Sequence, residues 1–436
     1  MKTIIPIIPT ILNVIGKQPN ISSNKYVWSV FTVKTTVKEG DLVYNTFTGS
    51  LILLEQDDDC LDFLINNWFL VSVAINEVLM VNRVRDSLRS QVSINGISTY
   101  TIFPTTDCNA RCYYCFEKGR KKQYMSNETA LSAARFILNH SNHNDVTIRW
   151  FGGEPLCNTR AVDIICDTLI QNNIVFSSKM ASNCLSFNKD LVKHAVTTWN
   201  LRMVQVAIDG TEITYNKVKS YNYNNNAFQL VLSNIHELLN NGINVVIRLN
   251  FDNNIIDDQI RLVDDVLSNQ FSNCDNLFVY SHPLTEAMIN NSTKGREELF
   301  NKQKQLENKI SEHGFSQPRR IPRDLKLFRC IADDRQSVTI LPSGCIGLCE
   351  HYTEERTIGD VLCDVLNYSR AKGIREYCEN TEECHKCFYY PQCIRLKCCP
   401  EAAKCFSEYR QFRMDKLKTV MISEYESAEK RHISFV

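Results

Sequence analysis

Three cysteines, Cys108, Cys112 and Cys115, fall within eight residues directly after an apolar strand candidate, Thr99–Pro104. The C-x₃-C-x₂-C spacing puts three thiolates on one tight loop, so the fold has to present a metal centre at the end of that strand. A cuboidal [4Fe–4S] cluster normally takes one cysteine on each iron, and three thiolates leave one iron open to a small chelating molecule. Zinc is the alternative, and it asks for a fourth Cys or His in paired spacing. His140 and His143, on or after a predicted helix, are the candidates for that place.

The remaining cysteines sharpen the point. The chain has 19 among 436 residues, with a second concentration between Cys330 and Cys405. Disulfide-dense secreted domains are short, so CxxC pairs in a chain this long read as metal-binding and cytoplasmic. Lys+Arg and Asp+Glu both number 49, which argues against a broad electrostatic grip on nucleic acid or an anionic membrane. No apolar stretch reaches the length of a membrane span. The run from Met1 to Gly16 resembles a signal peptide superficially, but Pro6 and Pro9 interrupt it and no small-residue cleavage site follows.

Periodicity divides the chain into four parts: 1–92, 98–290, 291–328 and 329–436. In the first, Tyr26–Val33 and Asp41–Glu55 read as strands with Thr48-Gly49 as a turn, and Asp57–Leu70 as a short helix. The second alternates strand and helix. Thr99–Pro104, Val146–Phe151, Ile174–Ala181, Met203–Ile208, Asn244–Phe251 and Leu277–Tyr280 are strands, with Ser126–His140, the stripe from Phe228 to Leu239 and Asp257–Leu267 as helices between them. Repeated βα units imply a parallel sheet, and about six of them give a partial, TIM-like (β/α)₆ barrel. The class is therefore α/β, with a small N-terminal α+β module and a cysteine-rich C-terminal domain. Asn291–His313 reads as a bridging helix, Ser316–Arg323 as a linker and Ser407–Ser427 as a charged terminal helix. In a barrel of this kind the site lies at the C-terminal strand ends.

At those ends the chain resembles radical S-adenosylmethionine enzymes. The resemblance rests on the segment TDCNARCYYCFE, with Tyr114 before the last cysteine, and on WFGGEPL after the second strand. It implies that Cys108, Cys112 and Cys115 hold the catalytic [4Fe–4S] cluster. It also implies that Gly152, Gly153, Glu154 and Pro155 hold the methionine amino group of S-adenosyl-L-methionine. Asn183, after Ser182, matches a family strand-end position, and Asp209 matches the family's S-x-D-G segment, here VAIDG with Ala207 in place of the serine. Arg248 and Asn250 match polar positions that contact ribose or carboxylate. Each of these also reads as a helix cap or a polar barrel-mouth residue.

The C-terminal cysteines resemble the SPASM extension of peptide maturases. Cys330, Gly344 and Cys349 fit its first part, Cys384, Cys387 and Cys393 fit C-x₂-C-x₅-C, and Cys405 fits the last position. The next family position falls on Lys397, while the cysteines are Cys398 and Cys399, so which of the two ligates stays open. The resemblance implies two auxiliary [4Fe–4S] clusters, one on Cys330, Cys349 and Cys398 with or without Cys345, the other on Cys384, Cys387, Cys393 and Cys405. A zinc ribbon is the alternative for these thiols.

Together these resemblances imply a radical enzyme that modifies a ribosomally synthesised precursor peptide. The chemistry implied is hydrogen abstraction by a deoxyadenosyl radical that closes a thioether or carbon–carbon crosslink. The N-terminal module resembles those that bind a precursor's leader as an added strand, and a packing cap for the next domain is the alternative. An external electron donor of flavodoxin or ferredoxin type is implied. Peptide epimerisation, with Cys345 or Cys399 as hydrogen donor, is one alternative. Formylglycine formation of the sulfatase-maturase kind is another, although there an Asp follows the auxiliary cysteine and here Glu350 follows Cys349. A non-catalytic zinc-binding protein is the alternative from another class.

Overall fold

The computed structural model describes the chain except residues 8, 17, 19–24, 56–59, 142–144, 222–225, 273, 316–319, 352–355, 372, 398, 400–404 and 434–436, with the side chains of 431–433 also left aside. Six strands come first: β1 (Lys2–Ile5), β2 (Tyr26–Trp28), β3 (Thr32–Val37), β4 (Gly40–Asn45), β5 (Leu51–Leu54) and β6 (Leu70–Ser72). The order β1-β5-β4-β3 makes one antiparallel sheet, and β2 pairs with β6 apart from it. The expected turn joins β4 to β5. Asn45 Oδ1 accepts from the amides of Phe47 and Thr48. Gly49 closes the turn at φ +70, where a Cβ would stand 2.0 Å from the Arg323 carbonyl oxygen. That contact demands glycine on both conformational and steric grounds.

Period-two alternation gives this sheet two buried faces. Leu42, Tyr44, Leu51 and Leu53 pack against Leu417, Val420, Met421 and Tyr425, all on the terminal helix Ser407–Ile433. Val43 and Ile52 pack against Leu64 and Phe69 on the other side. Three expectations need correction here. The strand expected over Tyr26–Val33 is split, its start forming β2 and its end opening β3 in a different sheet. The helix expected over Asp57–Leu70 spans Leu61–Asn66, residues 56–59 lie outside the described residues, and Leu70 opens β6, because Trp68 turns the chain at φ +61. The expected linker Ser316–Arg323 is packed where it is described: Ile321 is buried in the sheet's core, and Tyr44 donates its hydroxyl to the Pro322 carbonyl. Residues 316–319 of that segment, and His143, lie outside the described residues.

The large sheet carries β7 (Thr99–Thr105), β8 (Val146–Gly152), β9 (Phe176–Ala181), β10 (Leu201–Ala207), β11 (Asn244–Phe251), β12 (Leu277–Pro283), β13 (Ser337–Ile340), β14 (Cys345–Gly347), β15 (Gly359–Asp360) and β16 (Val365–Leu366). Its order is β12-β11-β10-β9-β8-β7-β13-β14-β15-β16. From β7 to β12 every neighbouring pair is parallel, as the βα alternation requires. Since β7 pairs with β13 and not with β12, the barrel is partial. The sheet therefore runs through residue 329, where composition marks a boundary, and ties the cysteine-rich region to the barrel wall.

Alternation sorts the strand residues by face. Ile148, Trp150, Met180, Val204, Val206, Ile247, Leu249 and Val279 join one apolar core with helix residues such as Ala134, Ile165, Val192 and Ile235. The intervening residues, among them Arg149, Phe151, Lys179, Gln205, Arg248, Asn250, Tyr280 and His282, face the lumen. Among the described residues no helix is long and apolar enough to cross a membrane.

Met421, fully buried between the terminal helix and the N-terminal sheet, tests whether that packing holds the two ends of the chain together. Met421→Ala is expected to cost about 2–5 kcal/mol of unfolding free energy. The exposed Glu426→Ala is expected to change it by less than about 0.5 kcal/mol. Urea denaturation followed by circular dichroism measures both.

Candidate active site

The loop after β7 is anchored at both ends before any cysteine is considered. Thr105 Oγ1 donates to the Gln123 carbonyl at 2.6 Å and accepts from the Asp107 amide at 2.9 Å. Asp107 caps the Cys108 amide at 2.8 Å and holds the Tyr124 hydroxyl and the Lys122 ammonium, each at 2.7 Å. The Arg111 amide donates to the Lys219 carbonyl at 2.7 Å. Cys108, Cys112 and Cys115 hang half-buried from this frame. Burial, then the Glu154 carboxylate and the Cys112 thiolate, push the Cys108 thiol up to about 12. Burial raises Cys112 as well. Such thiols stay protonated at neutral pH unless a cation binds, and the thiolate is the metal ligand. Among the described residues no three His, Cys, Asp or Glu side chains converge tightly enough for a single metal ion. Thiols spaced around a cluster, with each iron taking its own, do not need that convergence.

The end of β8 lies against this loop through two glycines. Gly152 has φ +114 and a Cβ there would meet the Thr105 carbonyl at 2.3 Å; at Gly153 it would meet the Asp107 carbonyl at 2.2 Å. Glu154 follows, 1% exposed. It accepts from the Ser182 hydroxyl at 2.8 Å, the Asn183 amide at 2.7 Å and the Leu156 amide at 3.2 Å. Pro155 opens the next helical turn. Asn183, after β9, donates to Asn109 Oδ1 at 2.6 Å and approaches Cys108 Sγ at 3.8 Å. The GGEP segment, Asn183 and the cysteine loop are thus one hydrogen-bonded unit.

A second unit closes the other side. The Tyr114 hydroxyl donates to Asp209 Oδ2 at 2.7 Å. Asn250 Nδ2 donates to the Tyr114 hydroxyl at 3.1 Å and to Asp209 Oδ1 at 3.3 Å. Asp209 also pairs with Lys219 at 2.8 Å, the two side chains being 0% and 4% exposed. Burial alone would lower the Lys219 pKa, but Asp209, followed by Tyr114 and Cys112, holds it well above the ordinary lysine value. Sequence reasoning missed Lys219. Its spacing from Asp209 carries no motif, and only the folding back of helix Glu212–Lys219 brings the two together. Arg248 stands apart from this unit, at 2.9 Å from His282 Nδ1. Burial and then Arg248 lower the His282 pKa to about 4, so that imidazole is neutral at pH 7. Asn250 Oδ1 and Arg248 Nε are buried without a partner among the described residues, polar atoms that a bound molecule would satisfy.

Residues 102–266 match the Radical SAM superfamily. The chain carries a radical SAM domain. A domain of that kind implies S-adenosylmethionine and a [4Fe–4S] cluster, and the cysteine loop, the glycine cradle and the two orphaned polar atoms fit such a pair. An uncharacterized protein of Methanocaldococcus jannaschii is 27% identical over 122 residues, 28% of this chain and 41% of that protein, so the match spans about two fifths of that relative. Among solved structures, anSMEcpe with bound AdoMet aligns at a TM-score of 0.58 with 16% identity, covering 76% of this chain and 95% of that one. Streptococcus suis SuiB bound to precursor peptide SuiA aligns at 0.49 with 13% identity, covering 84% and 94%.

Beyond the radical SAM domain, eight of the described cysteines gather in two groups, and Cys60, Cys274, Cys363 and Cys378 belong to neither. Cys349 is pushed up to about 12 by burial and then by Glu350, Cys330 and Cys399. Burial raises Cys330, and Cys399 raises it further. Cys399 therefore stands with this group, while Cys398 lies outside the described residues. Cys345 sits on β14 opposite Asp360. In the second group burial raises Cys393 and Cys387; Cys405 adds to both, and Cys384 adds to Cys393. The first group abuts the radical loop: the His351 ring lies 4.8 Å from that of Phe116, and Arg120 donates to the Glu350 carbonyl at 3.4 Å.

The Asp209–Lys219 pair gives a direct test of this geometry. Lys219→Met strands a buried carboxylate and is expected to cost about 3–5 kcal/mol. Adding Asp209→Asn to the same chain is expected to recover most of that loss. Guanidinium denaturation of the single and double variants checks the cycle.

Proposed function

We propose that the protein is a radical S-adenosylmethionine enzyme that modifies a ribosomally made precursor peptide. The observation that carries this reading is the junction of three thiols with a glycine cradle and a buried polar network at the barrel mouth. In it, Cys108, Cys112 and Cys115 hold the catalytic [4Fe–4S] cluster. The Gly152-Gly153-Glu154-Pro155 turn takes the methionine amino group, with Glu154 held in place by Ser182 and Asn183. Tyr114, Asp209, Asn250 and Arg248 line the rest of the cofactor's bed, with the Lys219 ammonium neutralising the Asp209 carboxylate. Bound there, cofactor and cluster supply a deoxyadenosyl radical able to abstract hydrogen from a carbon.

Cys330, Cys349 and Cys399, with Cys398 and Cys345 as further candidates, hold one auxiliary [4Fe–4S] cluster in a SPASM-like domain over 329–436. Cys384, Cys387, Cys393 and Cys405 hold the other. Clusters held by these thiols would accept the one electron that a substrate radical loses as a thioether or carbon–carbon crosslink closes, and an external acceptor would reoxidise them. A ferredoxin- or flavodoxin-type protein delivers the starting electron, in a reducing cytoplasm. The N-terminal module, 1–92, takes the leader peptide as an added strand; β3, the last strand of its sheet among the described residues, offers the edge. A peptide substrate is supported, at the level of fold analogy, by the likeness to anSMEcpe, which also has a structure with bound AdoMet and Cp18Cys peptide, at a TM-score of 0.56 and 15% identity. A second reading, formylglycine formation, is favoured by one observation. Glu350 Oε2 is buried without a partner among the described residues, next to Cys349, where a substrate base would sit.

Anaerobic reconstitution tests the proposal. The wild-type protein is expected to bind about twelve irons and to release 5′-deoxyadenosine under dithionite. Alanine at Cys108, Cys112 or Cys115 is expected to remove about four irons and all 5′-deoxyadenosine formation; Cys393→Ala is expected to remove about four irons only. A triad variant that splits the cofactor at the wild-type rate sinks the reading. Mass spectrometry of a short peptide encoded beside the enzyme and co-expressed with it reports the modification itself.

A further inference from the structure

Two cations inside the barrel have no counter-charge among the described residues. Arg149 and Lys179 are direct partners across β8 and β9. Both belong to the lumen-facing set, since their neighbours Ile148, Trp150 and Met180 are buried against the outer helices. Strands of a sheet lie about 4.8 Å apart, and like charges directly opposite one another destabilise a sheet. Neither side chain has a hydrogen bond or ion pair among the described residues, whereas Arg248 at least meets His282. No Asp or Glu occupies a lumen-facing position from β7 to β12, and Asp209 above them is already neutralised by Lys219. The chain carries no net charge, so this is a local imbalance rather than a generally basic protein.

The rung is also placed to meet a substrate. Phe151, two residues beyond Arg149, lies 6.2 Å ring to ring from Phe116 on the cysteine loop. Arg149 and Lys179 therefore sit one pleat deeper, about 7 Å along the strands. Lys179 is exposed and Arg149 half-buried, so the rung opens into the lumen.

We infer that Arg149 and Lys179 form a receptor for a carboxylate side chain, and that the peptide segment entering the barrel carries an aspartate or glutamate near the modified residue. This rests on the peptide-modifying reading above and narrows its substrate class. An arginine fork and a neighbouring ammonium suit a carboxylate through charge-assisted hydrogen bonds. The charge pattern selects against lysine- or arginine-bearing segments at the same depth.

Calorimetric titration of the reconstituted enzyme, with S-adenosylmethionine present and reductant absent, tests the inference. The probes are two short synthetic peptides blocked at both ends, identical except for Asp in one and Asn in the other. The Asp peptide is expected to bind at least about tenfold tighter. That ratio is expected to fall to within about twofold in Arg149→Gln/Lys179→Gln, with each single variant between. As the readout is a ratio within one protein, a variant that folds less completely does not mimic the result. Relief of repulsion gives a second readout: Lys179→Gln is expected to unfold at no lower temperature than the wild type. Equal affinities in the wild type, a ratio that survives the double substitution, or no binding of the Asp peptide at millimolar concentration overturns the inference. So does equally tight binding of the Asn peptide with a free C-terminus, which would assign the rung to a chain end. A wild-type protein that binds with the expected ratio but releases no 5′-deoxyadenosine on reduction would instead sink the radical reading and leave the receptor standing.

Discussion

The buried pair of Asp209 and Lys219 is the contact on which the geometry of the barrel mouth depends. Asp209 lies two residues past the end of β10, Lys219 ends the following helix, and Tyr114 and Asn250 bring in the cysteine loop and β11. A buried ion pair stabilises little by itself, because desolvating both charges offsets most of their attraction. Its consequence here is positional. With its carboxylate shared between a cation, a phenol and an amide, Asp209 has one low-energy orientation, and the loop that carries Cys112 and Cys115 is held against the strand ends. The Lys219 carbonyl accepting from Arg111 fastens the same loop a second time.

On the opposite side the fastening is steric. Gly152 and Gly153 allow β8 to touch the backbone of Thr105 and Asp107, and Glu154, one residue on, reaches across to β9. The cysteine loop is thus clamped between an electrostatic contact and a close backbone approach. Both arise at the C-terminal ends of parallel strands, where each βα turn emerges beside its neighbour. The local GGEP turn and cysteine loop become one cradle only because the strand ends that carry them lie in register.

This explains what was legible beforehand. The strands could be read because each combines an apolar face with a short polar terminus, and the cysteine loop and GGEP turn because their spacing is local. Asn183, Asp209 and Asn250 were visible as polar residues ending strands. Lys219 was not, since its role comes from a helix folding back and nothing in its neighbourhood is periodic. The segment after Asp57 misled for a related reason: its leucines satisfy a helical spacing, but Trp68 at positive φ ends the helix early and Leu70 pairs with β2's Trp28. Ser316–Arg323 reads as a linker because Ile321 is a single apolar residue, and its burial is set by Tyr44 and the terminal helix, both far away in sequence.

The cysteine-rich region is held by the barrel sheet and the N-terminal module rather than by a core of its own. Its strand β13 extends the barrel sheet through β7. Arg85 and Arg89, from the helix Glu77–Gln91, donate to the carbonyls of Pro391 and Leu327. Thr46 and Gln392 join the N-terminal turn to the segment between Cys387 and Cys393. Loop-rich backbone of this kind buries little apolar surface, so its order has to come from such ties and from whatever its thiols bind. The same ties put the N-terminal sheet, the thiol groups and the barrel mouth in one mechanical unit. On the proposed reading, these ties couple a peptide strand added at the sheet's edge to the cysteine loop, so the depth reached by its charged side chain is governed by the fold rather than by the flexibility of a linker.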